Sequence, residues 1–390
     1  MTHGPVRVLF VDHSPIVGGA QLTLVEHLRT LDRARFHPMV LCASNADELQ
    51  RLYRAAGAEV HLASLPRLRT PSPGVPLRLL RSARLLRALV ARLDADVVVA
   101  STSRTAYIAA LALAGSGVPL VWWVHDFQFN RVIFRVASRF AAAIICVSDA
   151  IRTFYGGQRD ARFHVIPVGS RLHHALESLD PEAVSRERAR WGYSDTDVVI
   201  GFMGRLVAEK GAEDLVHAVA ALHASDPRVK LLVVGTGRGQ ANDVEGALHA
   251  LVERNGWRFV SFAGFQSDEA LYYKLFDVLA LPSRAAEGYA MSAVQAMLAG
   301  TPVVVTAVGG MMELVRDRET GLLVPPCSPE RMSSAIAELI SDSALRERVI
   351  AAGQDQVMRN NRVEVTTRQA EAVYERVARR RMRRHATRAN

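Results

Sequence analysis

Short, almost wholly apolar runs recur along the first half of the chain, at VRVLFVD (6–12), HPMVLCA (37–43), AEVHLAS (58–64), DVVVAST (96–102), PLVWWVHD (119–126), AIICVSD (143–149) and RFHVIPVGS (162–170). Between them, apolar residues return every three or four positions, the spacing of one helix face. Apolar runs alternating with helical stretches predict strands buried on both faces of a parallel, doubly wound sheet. After a polar stretch at about 171–196, read as a linker with a short helix, the pattern restarts. Runs DVVIGFMG (197–204), KLLVVG (230–235), RFVSFAG (258–264), DVLALP (277–282) and PVVVT (302–306) predict a second α/β domain. In SRAAEGYAMSAVQAMLAGTP (283–302), Ala290, Ala293, Val294, Met297 and Leu298 line one face of a helix that Gly300 and Pro302 stop.

Composition narrows the class. At 390 residues the chain is long for one core, so two domains are expected. No apolar run approaches the roughly 18–20 residues that span a bilayer, and the N-terminus lacks the pattern of an export signal. Cys42, Cys146 and Cys327 are far apart, without metal spacing, and are read as reduced and buried, which suits the cytoplasm. The net charge of +9 comes from two segments: seven Arg and no acid in 67–92, and six Arg and no acid in 379–390. Subtracting those thirteen from +9 leaves −4 for the rest, which argues against a nucleic-acid surface. Lysine occurs only at 210, 230 and 274, which draws attention to Lys210.

Candidate chemistry sits where strands end. Gly18 and Gly19 follow the first strand and open a helix from about Leu22; they allow close approach of a ligand, or simply a tight turn. His125 ends its strand and either positions a hydroxyl or bonds a neighbouring loop. Gly204, Arg205 and Lys210 form a cationic loop before a helix at about Ala212, suited to a diphosphate. Glu287 precedes a helix N-terminus; it is either a ligand contact or a partner of the helix dipole. Gln295 lies eight residues on, with donors and an acceptor for a hydroxylated ligand or for water. GTGRG (235–239) departs from GxGxxG and lacks the strand-borne acid of a dinucleotide site, which excludes NAD.

Taken jointly, GGAQ (18–21), HD (125–126), VSD (147–149), VIPVG (165–169), GRLVAEKG (204–211), VGTGRG (234–239), PSRAAEGYAMSAVQAMLAGTPVV (282–304), VGGMMELV (308–315) and GLLVPP (321–326) fall in the order and spacing of a known family. Over roughly residues 8–345 the chain resembles the family 4 retaining glycosyltransferases. The resemblance implies the GT-B fold, two Rossmann-like doubly wound domains facing each other across a cleft. It implies transfer of a sugar from a nucleotide diphosphate sugar to an acceptor hydroxyl (glycan, lipid-linked or small molecule), without a metal or other cofactor. Arg205 and Lys210 match the pair that grips the diphosphate and stabilises the departing charge. Glu287 matches the first Glu of the E-x7-E motif and the sugar contact, with Gly288, Tyr289 and Ala290 offering backbone. Gly18 and Gly19 match the loop that closes over the donor, His125 a position beside the transferring sugar, and Gly264 and Phe265 fall among the donor contacts.

Two residues depart from the pattern. Val168 stands where Asn is frequent, and Gln295 replaces the second Glu, whose carboxylate would accept from both ribose hydroxyls. The alternatives are a non-catalytic nucleotide-sugar-binding relative, for which Gln295 is the motivating feature, and a nucleotide-sugar epimerase of the same fold, which would need acid and base residues around the sugar. Expected domains are an acceptor-side domain at 1–172, joined by a C-terminal helix at about 362–380, a donor domain at 195–360, and a disordered basic tail at 381–390. In the helix VPLRLLRSARLLRALVARL, Leu79, Leu86, Leu89, Val90 and Leu93 form the apolar face and Arg81, Arg84, Arg87 and Arg92 the other. With the tail after Arg379 they predict salt-sensitive contact with anionic lipid on the inner face of the membrane.

Overall fold

The computed structural model describes residues 4–389 except 15–16, 64–74 and 241. The chain divides into two compact units, one of residues 1–169 with 363–390 and one of 170–362. Both are doubly wound α/β units, the class expected from the repeated pattern.

The first unit begins β1 (Val6–Val11), α1 (Gly19–Thr30), β2 (Phe36–Ala43), α2 (Asp47–Ala55), β3 (Glu59–Ala63), α3 (Val75–Arg92) and β4 (Val97–Ala100). It continues α4 (Ser103–Leu113), β5 (Leu120–Val124), α5 (Arg131–Ala137), β6 (Ala141–Cys146), α6 (Asp149–Phe154) and β7 (Phe163–Val165). The strands pair in parallel in the order β3-β2-β1-β4-β5-β6-β7. The order reverses at β1, so α1 and α2 cover one face and α3, α4 and α5 the other. The central strands bury almost every side chain, with Val8, Leu9, Val97, Val98, Val121 and Trp122 wholly enclosed, as continuous apolar runs require.

The second unit contains α7 (Leu172–Glu177), α8 (Pro181–Arg190), β8 (Val198–Met203), α9 (Ala212–Ser225), β9 (Val229–Val234), α10 (Glu245–Arg254), β10 (Val260–Gly264) and α11 (Glu269–Leu275). Then follow β11 (Val278–Leu281), α12 (Met291–Ala299), β12 (Val303–Thr306), α13 (Met311–Leu314), β13 (Leu322–Val324), α14 (Pro329–Ser341) and α15 (Ser343–Asn360). Its parallel sheet runs β10-β9-β8-β11-β12-β13 and reverses between β8 and β11. One core joins the sheet to α9 and α14 through residues such as Val216, Val219 and Ile336. The other joins it to α11 and α12 through Tyr273, Val294 and Met297.

Three expectations are corrected. Residues 171–196 are not a loose linker: α7 and α8 pack on α11 and α12, with Leu172 and Tyr193 buried and Leu176, Val184 and Trp191 against the same core. The tail expected to be disordered from Arg381 continues α16 (Val363–Ala389). Arginine is a good helix former, and Arg381 Nη1 donates to Ala95 O at 2.8 Å and lies 3.3 Å from Asp96 Oδ1. Cys42 and Cys146 are buried as expected, but Cys327 is exposed, in a left-handed conformation (φ 54°) between β13 and α14.

The returning helix α16 is fastened to α1 by His27. Its Nδ1 lies 3.0 Å from Thr367 Oγ1 and its Nε2 3.2 Å from Tyr374 Oη, and Phe10, Trp123 and Tyr374 meet the ring edge-on. Burial, with the Arg33 charge nearby, pushes its pKa down to about 3. In the unfolded chain the value is about 6.5, so between those pH values only the unfolded state binds this proton, and stability is lost as the pH is lowered. Urea unfolding should therefore show a loss approaching roughly 1.4 kcal/mol per pH unit below pH 6 from this group. His27→Gln, which can bond without titrating, should flatten that slope; an unchanged slope would remove His27 from the account.

Candidate functional site

Residues that meet a ligand in an open parallel sheet stand at the carboxyl ends of the strands, beside the reversal point. In the second unit that is the ground between the β8 and β11 loops. A turn of 3-10 helix, Ala208–Lys210, presents Lys210, and Gly211 (φ 66°) turns the chain into α9. A Cβ at Gly211 would run into the Pro282 carbonyl, and Arg284 N donates to Glu209 O at 2.8 Å, so the two loops are held against each other. Lys210 Nζ consequently reaches Glu287 Oε1 at 2.5 Å, and the buried Ser283 Oγ donates to the same oxygen at 2.6 Å.

The Glu287 backbone is fixed from the β12 side. Gly310 N donates to its carbonyl at 2.8 Å, and Gly309 (φ 53°) lies so close that a Cβ would meet that oxygen. Thr306 Oγ1 holds the Ser283 carbonyl at 2.7 Å. Beyond Glu287 the chain enters α12 at Ala290 with no side-chain cap and no acid in the first turn. Its first N–H groups lack side-chain partners among the described residues, and Glu287, which pairs with Lys210, lies three residues before the cap position Ala290. A cation beside an uncapped helix start suits a phosphate. The start of α9, expected to serve the same anion, instead carries Asp214 and Glu213, which take up Arg284 at 2.6 and 3.3 Å.

The other expected residues fall into place unequally. Arg205 is exposed and its Nη1 donates to Gln240 Oε1 at 3.2 Å. Gly204 meets Gly235 (φ 131°), where any Cβ would strike the Gly204 carbonyl, so the β8 and β9 loops nest closely. Gly264 (φ 67°) ends β10 and passes its carbonyl to Gly235 N at 2.7 Å; Phe265 follows, 73% exposed. The Tyr289 side chain turns inward to Asn361 Nδ2 at 3.1 Å, and burial raises its pKa to about 12. Gln295 is half-buried and tied on both sides, accepting from Tyr273 Oη at 3.0 Å and donating to Glu269 Oε2 at 2.6 Å. Glu269 and Tyr273 carry no sequence signal of this pairing, since a glutamate that opens a short helix is commonplace.

In the first unit the same edge holds neutral imidazoles. His125 stacks on Trp123 and burial lowers its pKa to about 4. His13 Nδ1 lies 3.0 Å from Thr102 Oγ1, and burial, then the Arg104 charge, lowers it to about 4. Gly18 and Gly19 lead into α1, which starts at Gly19, three residues before the expected Leu22. The fully buried Asp12 anchors this turn: Tyr53 Oη, Gln21 Nε2 and Ser14 N donate to it at 2.7, 3.2 and 3.1 Å. Burial raises its pKa against those bonds. The available sequence signal was an acid closing an otherwise apolar strand.

Residues 17–173 match the model of glycosyltransferase family 4, and residues 184–356 that of the glycosyl transferases group 1. The chain is 35% identical to the D-inositol 3-phosphate glycosyltransferase of Segniliparus rotundus over 52% of this chain and 44% of that protein. It therefore spans about half the length of such relatives. It is 28% identical to the GDP-mannose-dependent alpha-(1-6)-phosphatidylinositol monomannoside mannosyltransferase of Mycobacterium tuberculosis, over 89% of this chain and 91% of that one. Among solved structures, Anabaena HepE in complex with UDP and glucose matches with a TM-score of 0.80 and 26% identity, over 96% of this chain and all of that chain.

Because Gly309 and the Glu287 carbonyl share one space, Gly309→Ala should lower unfolding stability in urea by roughly 1–3 kcal/mol. Stability equal to wild type would show that the loop has another arrangement available.

Proposed function

Since the chain belongs to the family 4 glycosyltransferases, we propose that it moves a glycosyl unit from a nucleoside diphosphate sugar to an acceptor hydroxyl with retention at the anomeric carbon. The observation that carries this reading is the Lys210–Glu287 pair at the uncapped start of α12. As the acceptor oxygen bonds to the anomeric carbon, the bond from that carbon to the diphosphate oxygen breaks, negative charge grows on that phosphate oxygen, and the hydroxyl proton passes to the departing diphosphate. Lys210 and the α12 N–H groups stabilise that charge more than the ground state, the largest contribution such a site can make. Arg205 joins them by leaving Gln240. Glu287, its backbone immobilised, accepts from sugar hydroxyls, and Gly288 and Ala290 leave room for them. Phe265 offers an exposed ring to the base. Gly18, Gly19 and His125 serve the acceptor-side unit, where a neutral His125 hydrogen-bonds without adding charge. Because lysine and arginine supply the positive charge, no metal is required. UDP-glucose, UDP being the nucleotide in the HepE complex, is the first donor to test.

Contact with anionic lipid is supported by the helical layer of the first unit. The α3 apolar face is buried through Leu86, Leu89 and Val90 as expected, while Arg81, Arg84 and Arg92 face outward. Arg87 is engaged inside the unit, donating to Ala114 O at 3.0 Å. Leu77, Leu80 and Leu85 are also exposed, as are Val132, Ile133 and Val136 on α5 and Phe140 beyond it. The helix α4 packs between α3 and α5, and none of the three contains an acidic residue. Exposed apolar and cationic residues on one layer fit an interfacial surface for a lipid-linked acceptor. No described helix is long and apolar enough to cross a membrane. Arg379 and Arg381 pair with Glu375 and Asp96; the side chains after Arg381 lie outside the described residues.

Lys210→Ala should lower kcat by about 10²–10³ with the cognate donor, Arg205→Ala should also impair turnover, and a chelator should leave the wild type active. Full turnover in both variants would sink the roles given to them. Sedimentation should increase when phosphatidylglycerol is added to phosphatidylcholine vesicles, fall with salt, and weaken in an Ile133→Asp/Val136→Asp variant. Indifference to lipid charge and to the variant would argue against the surface.

A further inference from the structure

The position of Gln295 explains more than its own substitution. An ionised carboxylate only accepts hydrogen bonds, so the amide NH2 must face Glu269 and the amide oxygen must face Tyr273. Tyr273 is wholly buried, and burial together with the Glu269 charge pushes its phenol well above the usual value, keeping it a donor. The amide is thus fixed at both ends, and it holds the Glu269 carboxylate in place. A glutamate at 295 would set two carboxylates at hydrogen-bond distance, and one would have to take a proton or turn away. The local negative charge is retained and carried by α11 instead of α12.

That carboxylate lies in reach of a nucleotide whose phosphates sit at the start of α12. Gln295 is four residues past Met291, about 6 Å along the helix, and the ribose is the next group along the nucleotide from the phosphates. Glu269 follows the carboxyl end of β10 by five residues, with the exposed Phe265 between them. A ribose offers two neighbouring O–H donors, and a carboxylate accepts both in charge-assisted bonds. We propose that Glu269, positioned by Gln295 and Tyr273, is the carboxylate that reads the ribose hydroxyls of the donor nucleotide. This rests on the nucleoside diphosphate sugar reading given above. Gln295 is a positioning residue, and the replacement on α12 is compensated from α11.

Calorimetric titration of the full chain with UDP, GDP and ADP, each beside its 2′,3′-dideoxy form, tests the assignment. Wild type should prefer the ribonucleotide it binds by about 10- to 100-fold. Glu269→Gln should abolish that preference while leaving the affinity for the dideoxy form as in wild type. Gln295→Glu should weaken ribonucleotide binding by repulsion, and the exchange Glu269→Gln/Gln295→Glu, which returns the single charge to α12, should restore the preference. A preference that survives Glu269→Gln, or an equal loss for both forms, would overturn the assignment while leaving the donor reading intact. Wild-type binding of no nucleotide in either form would overturn the donor reading and the assignment with it.

Discussion

The Lys210–Glu287 ion pair is the contact around which the loops at the sheet edge of the second unit are arranged. Its two members come from loops after different strands, and neither loop could hold its residue alone. The parallel sheet sets β8 beside β11, Gly211 lets the first loop press on Pro282, and Gly309 lets the β12 loop press on Glu287. Ser283 shares the carboxylate oxygen with the lysine. Half-buried charges need such partners, because removing one would leave the other uncompensated. Under the proposed reading, an arriving phosphate meets a lysine already aimed by the pair, and the neighbouring carboxylate is left for hydroxyl groups.

The two units divide the physical work. In the second, fixed charges and free helix N–H groups are held at the sheet edge by glycines whose missing side chains allow loops to touch. In the first, burial keeps His13 and His125 neutral at pH 7, and Asp12 is a structural pin held by Tyr53, Gln21 and a backbone N–H. The surface of the first unit is where its distinctive chemistry lies, as arginines and exposed aliphatic side chains on α3 and α5, helices whose own sequences contain no acidic residue.

Much of this was legible in sequence because strands buried on both faces cannot tolerate polar residues. The runs at 6–12, 96–102 and 119–126 mark central strands. The α12 face of Ala293, Val294, Met297 and Leu298 is buried as its spacing predicts, and Gly300 (φ 75°) ends the helix. What spacing hides is contact over distance. The apolar residues of 171–196 are too sparse to predict packing, yet Leu172, Leu176 and Trp191 complete a core supplied by α11 and α12. Glu269 lies 26 residues from Gln295, so Gln295 read alone looked like a lost carboxylate. Arg205 and Lys210 are neighbours in sequence, but the structure pairs one with Gln240 and the other with Glu287.

The central proposal for the site is that Lys210 reads the diphosphate and Glu287 the sugar. Its most direct test compares the affinity of a sugar nucleotide with that of its bare nucleoside diphosphate in wild type, Lys210→Met and Glu287→Gln, using whichever of the UDP-, GDP- and ADP-sugars raises the melting temperature most. Lys210→Met should weaken both ligands by about 10- to 100-fold, the loss of one charge-assisted contact. Glu287→Gln should weaken the sugar nucleotide alone. Wild-type affinity for both ligands in Lys210→Met would contradict the claim.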